Sequence, residues 1–188
     1  MFVLLIAALI ATPRPPRGST SPSAPAAQES LTDDQVRERI EGYLGSIDTP
    51  VSAQRWRALG PRAAPRLEAI IADPAQFPST RAKALDGLVA AAPDRASALV
   101  GKLARDEKQP VIVRVAALHG AGEVLQEQRA LTELRPVLQS AKSTGLRAEA
   151  ADVISRKKGG CVEVREQIAR EKTEHREAFR RALDRCPE

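Results

Sequence analysis

The residues able to do metal, redox or nucleophilic chemistry are few: two histidines (His119, His175), two cysteines (Cys161, Cys186) and one methionine in 188 residues. Two Cys and two His make a zinc-type inventory. A tetrahedral site, however, takes its ligands in close pairs, and neither a CxxC nor an HxxxH spacing occurs. Gly159-Gly160 reads as a helix stop rather than a phosphate cradle, and Asp33-Asp34 as helix-start chemistry rather than an acid–base pair. His119 falls at the same repeat position as Asp86 and Asp152, which predicts a solvent-facing place on a helix with no partner to tune it. No catalytic, cofactor-binding or metal-ligating residue is assigned, and the expectation is a protein without cofactor that is not an enzyme.

The cysteines pose a question of geometry. On one straight helix, residues 162 to 185 would hold them roughly 36 Å apart, far beyond bonding. If the chain reverses near Glu171 to Thr173, Cys161 and Cys186 come together and a disulfide closes a helical hairpin; the alternative is two reduced thiols. An even cysteine count and an apolar amino-terminal run, Phe2 to Ala11, favour the bridge. As a helix that run would rise only about 15 Å against a bilayer core of about 30 Å, so it predicts no transmembrane span. Residues 1–11 read as a signal-peptide-like leader, although no Lys or Arg precedes the run. Residues 12–30, with five prolines, read as a Pro/Ser/Ala-rich linker. Export to the periplasm or the extracellular space is the expectation; a misplaced start would leave a cytoplasmic protein.

The elements that position these residues are helical. Alanine occurs 32 times and aromatic residues five, a composition that argues against a sheet and for closely packed helices. Thr32 and Gln35 fit a capping box that starts a helix over 32 to 44, with Leu31 and Val36 as its staple and Gly45 as its stop. Further on, RAKAL from Arg81, RVAAL from Arg114 and RAEAA from Arg147 are spaced 33 and 33 apart, and RWRAL from Arg55 is a looser copy. Asp73, Asp106 and Gln139 stand eight residues ahead of the last three arginines. A fixed period of this size marks stacked supersecondary units. Each unit reads as two helices, with Pro50, Pro78 and Pro110 opening the first. The second run over about 63 to 72 (Leu67, Ile70 and Ile71 inward) and about 94 to 105 (Leu99, Val100 and Leu103 inward). In the third unit Leu131, Leu134, Val137 and Leu138 carry the stripe; either Thr132 caps a helix with Pro136 in its first turn, or Pro136 kinks a longer one.

The stretch from Asp106 through Pro110, Arg114 and Leu118 to Gly122 resembles HEAT repeats, specifically the short bacterial HEAT-like units also found in phycobilisome lyases. The similarity covers about residues 50 to 155 and is weakest in the first unit. It implies an all-α fold: a short α-solenoid of three to four HEAT-like helix pairs over 31–158, capped by the helix at 32 to 44 and by a helical hairpin over 159–188. It also implies a structural ladder through Asp73, Arg81, Asp106, Arg114 and Arg147, with the rung at Gln139 in doubt. Enzymes of this build that hold iron, such as deoxyhypusine hydroxylase, use paired His-Glu motifs, whereas here His119 precedes Gly120 and His175 precedes Arg176.

What the resemblance implies in function is a monomeric, non-catalytic adaptor or assembly factor that holds another protein or a peptide segment. Polar side chains on the second helices, Arg66, Glu68, Lys102 and Arg105, are the candidate partner contacts. The alternatives are a cytoplasmic nucleic-acid binder of the same fold, or a HEAT-like enzyme of the lyase type. Nucleic acid is disfavoured because the charge is only +5, and between Arg156 and Arg185 ten Lys/Arg interleave with six Asp/Glu, as on an ion-paired helix face. Stacking aromatics are also nearly absent.

Overall fold

The computed structural model describes residues 31–46 and 50–186. The leader at 1–11 and the linker at 12–30 lie outside the described residues. Among those described, every regular element is helical and none is a strand.

The first helix, α1 (Asp33–Gly45), starts as its sequence dictates: Thr32 Oγ1 accepts from Gln35 N and Gln35 Oε1 accepts from Thr32 N, so both halves of the capping box form. Val36 and Ile40 are buried, and Tyr43 meets Trp56 edge to face at 5.0 Å. Four pairs of segments follow: α2 (Ala53–Arg57) with α3 (Ala64–Ala72), α4 (Pro78–Ala91) with α5 (Pro93–Ser97) and α6 (Val100–Arg105), α7 (Val111–Val124) with α8 (Glu127–Ser140), and α9 (Thr144–Ser155) with α10 (Gly160–Arg170). The 3-10 segment Thr173–Phe179 and α11 (Arg180–Arg185) complete the chain.

Contacts run in two rows. In one, α2 packs on α4, α4 on α7, α7 on α9, and α9 on α11 and the 3-10 segment; in the other, α6 packs on α8 and α8 on α10. The 33-residue period explains how the first row closes: Ala84, Ala117 and Ala150, each three residues after its repeat arginine, are fully buried. Small residues also stand where neighbouring helices press closest. A Cβ on Gly87 would lie 2.9 Å from the Trp56 ring, and one on Gly120 would lie 2.8 Å from a Val89 methyl. Leu85, Leu118, Leu134 and Leu138 fill the space between the rows with no exposure, each contributing about 2 kcal/mol by burial.

Two expectations about elements change, and at Pro136 the longer of the two expected helices is the one found. The second segment of the middle unit is two helices rather than one: the chain tightens at Ala98 and Leu99, whose amides bond to carbonyls three residues back. Val100 is buried there, but Leu99 and Leu103 are only half-buried. In the next unit α8 runs unbroken through Pro136, because Leu131, Leu134, Val137 and Leu138 are all buried and their packing offsets the roughly 3 kcal/mol that an interior proline costs. In the carboxy-terminal segment Phe179 and Ala182 point inward but Leu183 is exposed, since a 3-10 turn carries the chain from Thr173 into α11.

The chain does reverse at Glu171 to Thr173, and the Cys161 and Cys186 sulfurs are at disulfide distance with Cα atoms 5.3 Å apart. Gly159, at φ 84°, makes the turn into α10, a conformation side chains with a Cβ avoid. No described helix is long and apolar enough to cross a membrane.

Candidate functional site

The surface of interest is the outer side of α3, α5, α6, α8 and α10, where the four candidate partner contacts lie. Three of them are already engaged with neighbouring helices. Arg66 on α3 reaches Glu41 on α1 at 3.4 Å. Glu68 accepts both arms of Arg95 on α5, at 2.8 and 2.5 Å, and this bidentate pairing raises the Arg95 guanidinium above its ordinary value. Arg105 on α6 pairs with the Glu133 carboxylate on α8 and donates to the Glu133 carbonyl at 3.2 Å. The same pattern continues with Arg135 on α8, which grips Glu163 on α10 at 3.0 and 2.5 Å. Arginine and glutamate thus alternate across the seams and use up most of the charge. Of the four, Lys102 is the exception: it is exposed and forms no ion pair among the described residues.

Where α5 breaks from α6, the surface opens. The break frees the Ser97 carbonyl, which accepts from Arg129 on α8 at 2.8 Å. On the other side a groove of about 410 Å³ lies between α3 and α6. Its floor is apolar, made by Ile71, Ala98, Leu99 and Leu103. The Glu68–Arg95 pair and Arg81 with its acceptor Gln109 also line it. The half-buried state of Leu99 and Leu103 therefore has a consequence in shape. Helical spacing sets Lys102 on the ridge of α6 beside this floor, about 100° round from Leu103.

The ladder residues are arranged differently from the expectation. Asp73 ends α3 and Asp106 ends α6, but neither carboxylate bonds an arginine: Asp73 accepts from Ala75 N and Gln76 Nε2, and Asp106 from Lys108 N and Gln109 Nε2. These bonds lower both carboxyls below the ordinary range. Arg81 and Arg114 are buried and donate through Nε to the carbonyls of Ile71 and Ala104, the last-turn carbonyls of the preceding helices. One rung does cross between units, through glutamine: Arg81 donates to Gln109 Oε1 at 2.6 Å while Gln109 donates to Asp106. An Asp-x-x-Gln spacing repeated at 73–76 and 106–109 carried that signal in the sequence.

At Gln139 no rung forms. Arg147 is met instead by Glu171, the residue that ends α10, at 2.5 and 2.7 Å, and Gln167 donates to the same carboxylate at 2.8 Å. The Arg147 hydrogen bonds hold Glu171 below its ordinary value against the pull of burial. No periodic signal announced Glu171, because it lies beyond the last copy of the repeat.

On the opposite side, His119 is exposed as expected, yet it has a partner: its Nε2 lies 3.0 Å from Glu149 on α9, whose other oxygen takes Arg181 of α11. Burial opposes ionisation of Glu149, but these two bonds outweigh it and lower its pKa. Asp86 is exposed, whereas Asp152 is buried and held by Arg156 and Arg185. His175 lies 3.4 Å from Thr144 Oγ1 and 3.8 Å from Glu171, both through Nδ1, so the ring does not bridge the two as a proton relay would. Among the described residues no group of His, Cys, Asp and Glu gathers at metal-ligand geometry. Comparison with family models, curated proteins and solved structures found no match to this chain.

Proposed function

We propose that this chain is an exported HEAT-like α-solenoid, a single-copy protein that works without catalysis by seating a segment of another protein on its second-helix surface. Support for the solenoid comes from two rows of helix contacts in register with a 33-residue period. Support for export comes from the Cys161–Cys186 pair, since such bonds persist in oxidising compartments. The observation that carries the binding reading is the groove between α3 and α6, an apolar floor on a surface whose other side chains are mostly paired.

A photo-crosslinking residue tests this. Placed at Leu103 in the groove, it should trap a discrete protein in cells that express the full chain. Placed at Glu123, exposed on α7, it should not. Equal labelling from both positions, or none from Leu103, would remove the reading.

A further inference from the structure

The repeat leaves one carboxylate without a partner, and that carboxylate stands at a pocket. Asp86, His119 and Asp152 occupy the same place in three successive units. His119 meets Glu149 of the next unit at 3.0 Å, and Asp152 is held by Arg156 and Arg185. Asp86 has no hydrogen bond or ion pair among the described residues. At the place from which Glu149 reaches His119, the helix beside Asp86 carries a buried alanine, Ala116. Asp86 lines a pocket of about 220 Å³ between α1, α2 and α4, together with Pro50, Val51, Tyr43 and Trp56, the last two being the only Tyr and the only Trp of the chain. Gly87 brings the indole there: with no Cβ in the way, the Trp56 ring lies against α4 at the residue next to Asp86. The other charged residue of the lining is Lys83, whose ammonium donates to the Ser46 carbonyl at 2.6 Å. Solvent reaches Asp86, yet the surrounding protein takes enough water from its carboxyl to push it up to about 6, against the opposing effect of His119. At neutral pH the group is therefore ionised and unmatched.

We infer that this pocket binds a small organic ammonium ion, its alkyl part against Tyr43, Val51 and Trp56 and its charge at the Asp86 carboxylate. Aromatic rings attract organic cations, and a carboxylate with no other partner offers them a charge-assisted hydrogen bond. The volume limits the ligand to a few heavy atoms, since drug-sized sites begin at about 300 Å³. An anion would have to compete with the Ser46 carbonyl for Lys83 and would meet the Asp86 charge. A neutral molecule would leave Asp86 as it is. The positive charge of Lys83 opposes a cation at its own end of the pocket, which places the ammonium at Asp86. A free amine and a lysine side chain of a partner protein present the same chemistry. This pocket is lined by none of the residues of the groove between α3 and α6, and neither reading depends on the other.

The single tryptophan supplies the readout. Butylammonium, titrated against the full chain, should change the Trp56 emission saturably and should show saturation transfer from the protein in its own NMR spectrum. Pentanol and pentanoate, of matching length but neutral and negative, should do neither. Asp86→Asn should weaken butylammonium about tenfold, the scale of one hydrogen bond to a charged group. Because Asp86 ties no other residue, that variant should keep the thermal midpoint of the parent chain, so the loss reads binding rather than folding. Glu123→Gln, on the exposed side of α7, should leave binding unchanged. N-acetyl-lysine amide separates the two sources: binding as tight as that of butylammonium assigns the site to a lysine side chain, and binding of butylammonium alone assigns it to a free amine. Absence of both signals with butylammonium, an equal response to pentanol or pentanoate, or indifference to Asp86→Asn would each overturn the inference.

Discussion

Asp106 ends α6 and Glu171 ends α10, and both carboxyls sit below their ordinary values, but Asp106 is spent on its own turn while Glu171 grips a guanidinium on another helix. The difference follows from what each region has to bury. In the middle, α4 and α7 meet through Ala84, Ala117 and Gly120, so apolar contact closes the seam and the polar groups need only satisfy helix ends. At the carboxy terminus a 3-10 turn and a six-residue helix bring only Phe179, Ala182 and Cys186 inward. That is too little apolar area to hold a segment, and specific ties take over: Arg147–Glu171, Arg181–Glu149, Arg185–Asp152 and the Cys161–Cys186 pair.

The largest break in this contrast is covalent. Cys186→Ser opens a loop of 25 residues and should cost about 3.5 kcal/mol by the loop-entropy relation. Hydrogen exchange should show residues 173–186 losing protection while α4 and α7 keep theirs; uniform loosening would mean that the two regions are not separately held. Alkylation of intact cells followed by mass spectrometry checks the bond itself, and recovery of both thiols in alkylated form would refute it.

Next is Glu171→Ala, which leaves a half-buried Arg147 without its counter-charge and should cost roughly 3 kcal/mol in urea unfolding. Glu171→Gln, which keeps an acceptor in place, should recover part of that loss. A value no larger than for an exposed pair would show that the carbonyls of Ala141 and Lys142 hold Arg147 unaided.

Acid should separate the regions in the same direction. Glu171 and Glu149 have folded pKa values below their ordinary 4.5, so their stabilisation is complete above that pH and is lost as pH falls through the folded values. Near-neutral pH should therefore show a closed carboxy terminus, and acidification should raise exchange in α11 before it does so in α7. Simultaneous opening would argue against these ties as the weak link. The smallest effect belongs to Asp106→Ala. Its carboxylate bonds only within its own turn and holds no guanidinium, and the loss in thermal midpoint should be well below that of Glu171→Ala although the two occupy matching positions.

Much of this was legible before any coordinates, and the reason is local. A capping box needs four consecutive residues, so Thr32 and Gln35 predicted the start of α1. The repeat arginines marked where buried alanines follow, because period and packing are the same fact in a stack. Prediction stopped where the outcome depended on distant surroundings. Nothing near Ala98 and Leu99 signals a break, and nothing near Pro136 says that a helix survives it; the neighbouring helices decide both. The candidate contacts Arg66, Glu68 and Arg105 read as free polar side chains, and their engagement with Glu41, Arg95 and Glu133 could not be inferred because those partners are 25 to 28 residues away.

What the sequence determined by itself is therefore the helical composition, the period, the start of α1 and the inward stripes of α3 and α8, all properties of side chains within a turn or two of one another. Tertiary structure decided which charges cancel. It set Glu171 rather than an aspartate against Arg147, inserted Gln109 between Arg81 and Asp106, and paired Glu68 with Arg95 at the groove. Apolar periodicity is written into one helix, whereas the fate of a charge depends on whichever helix packs beside it.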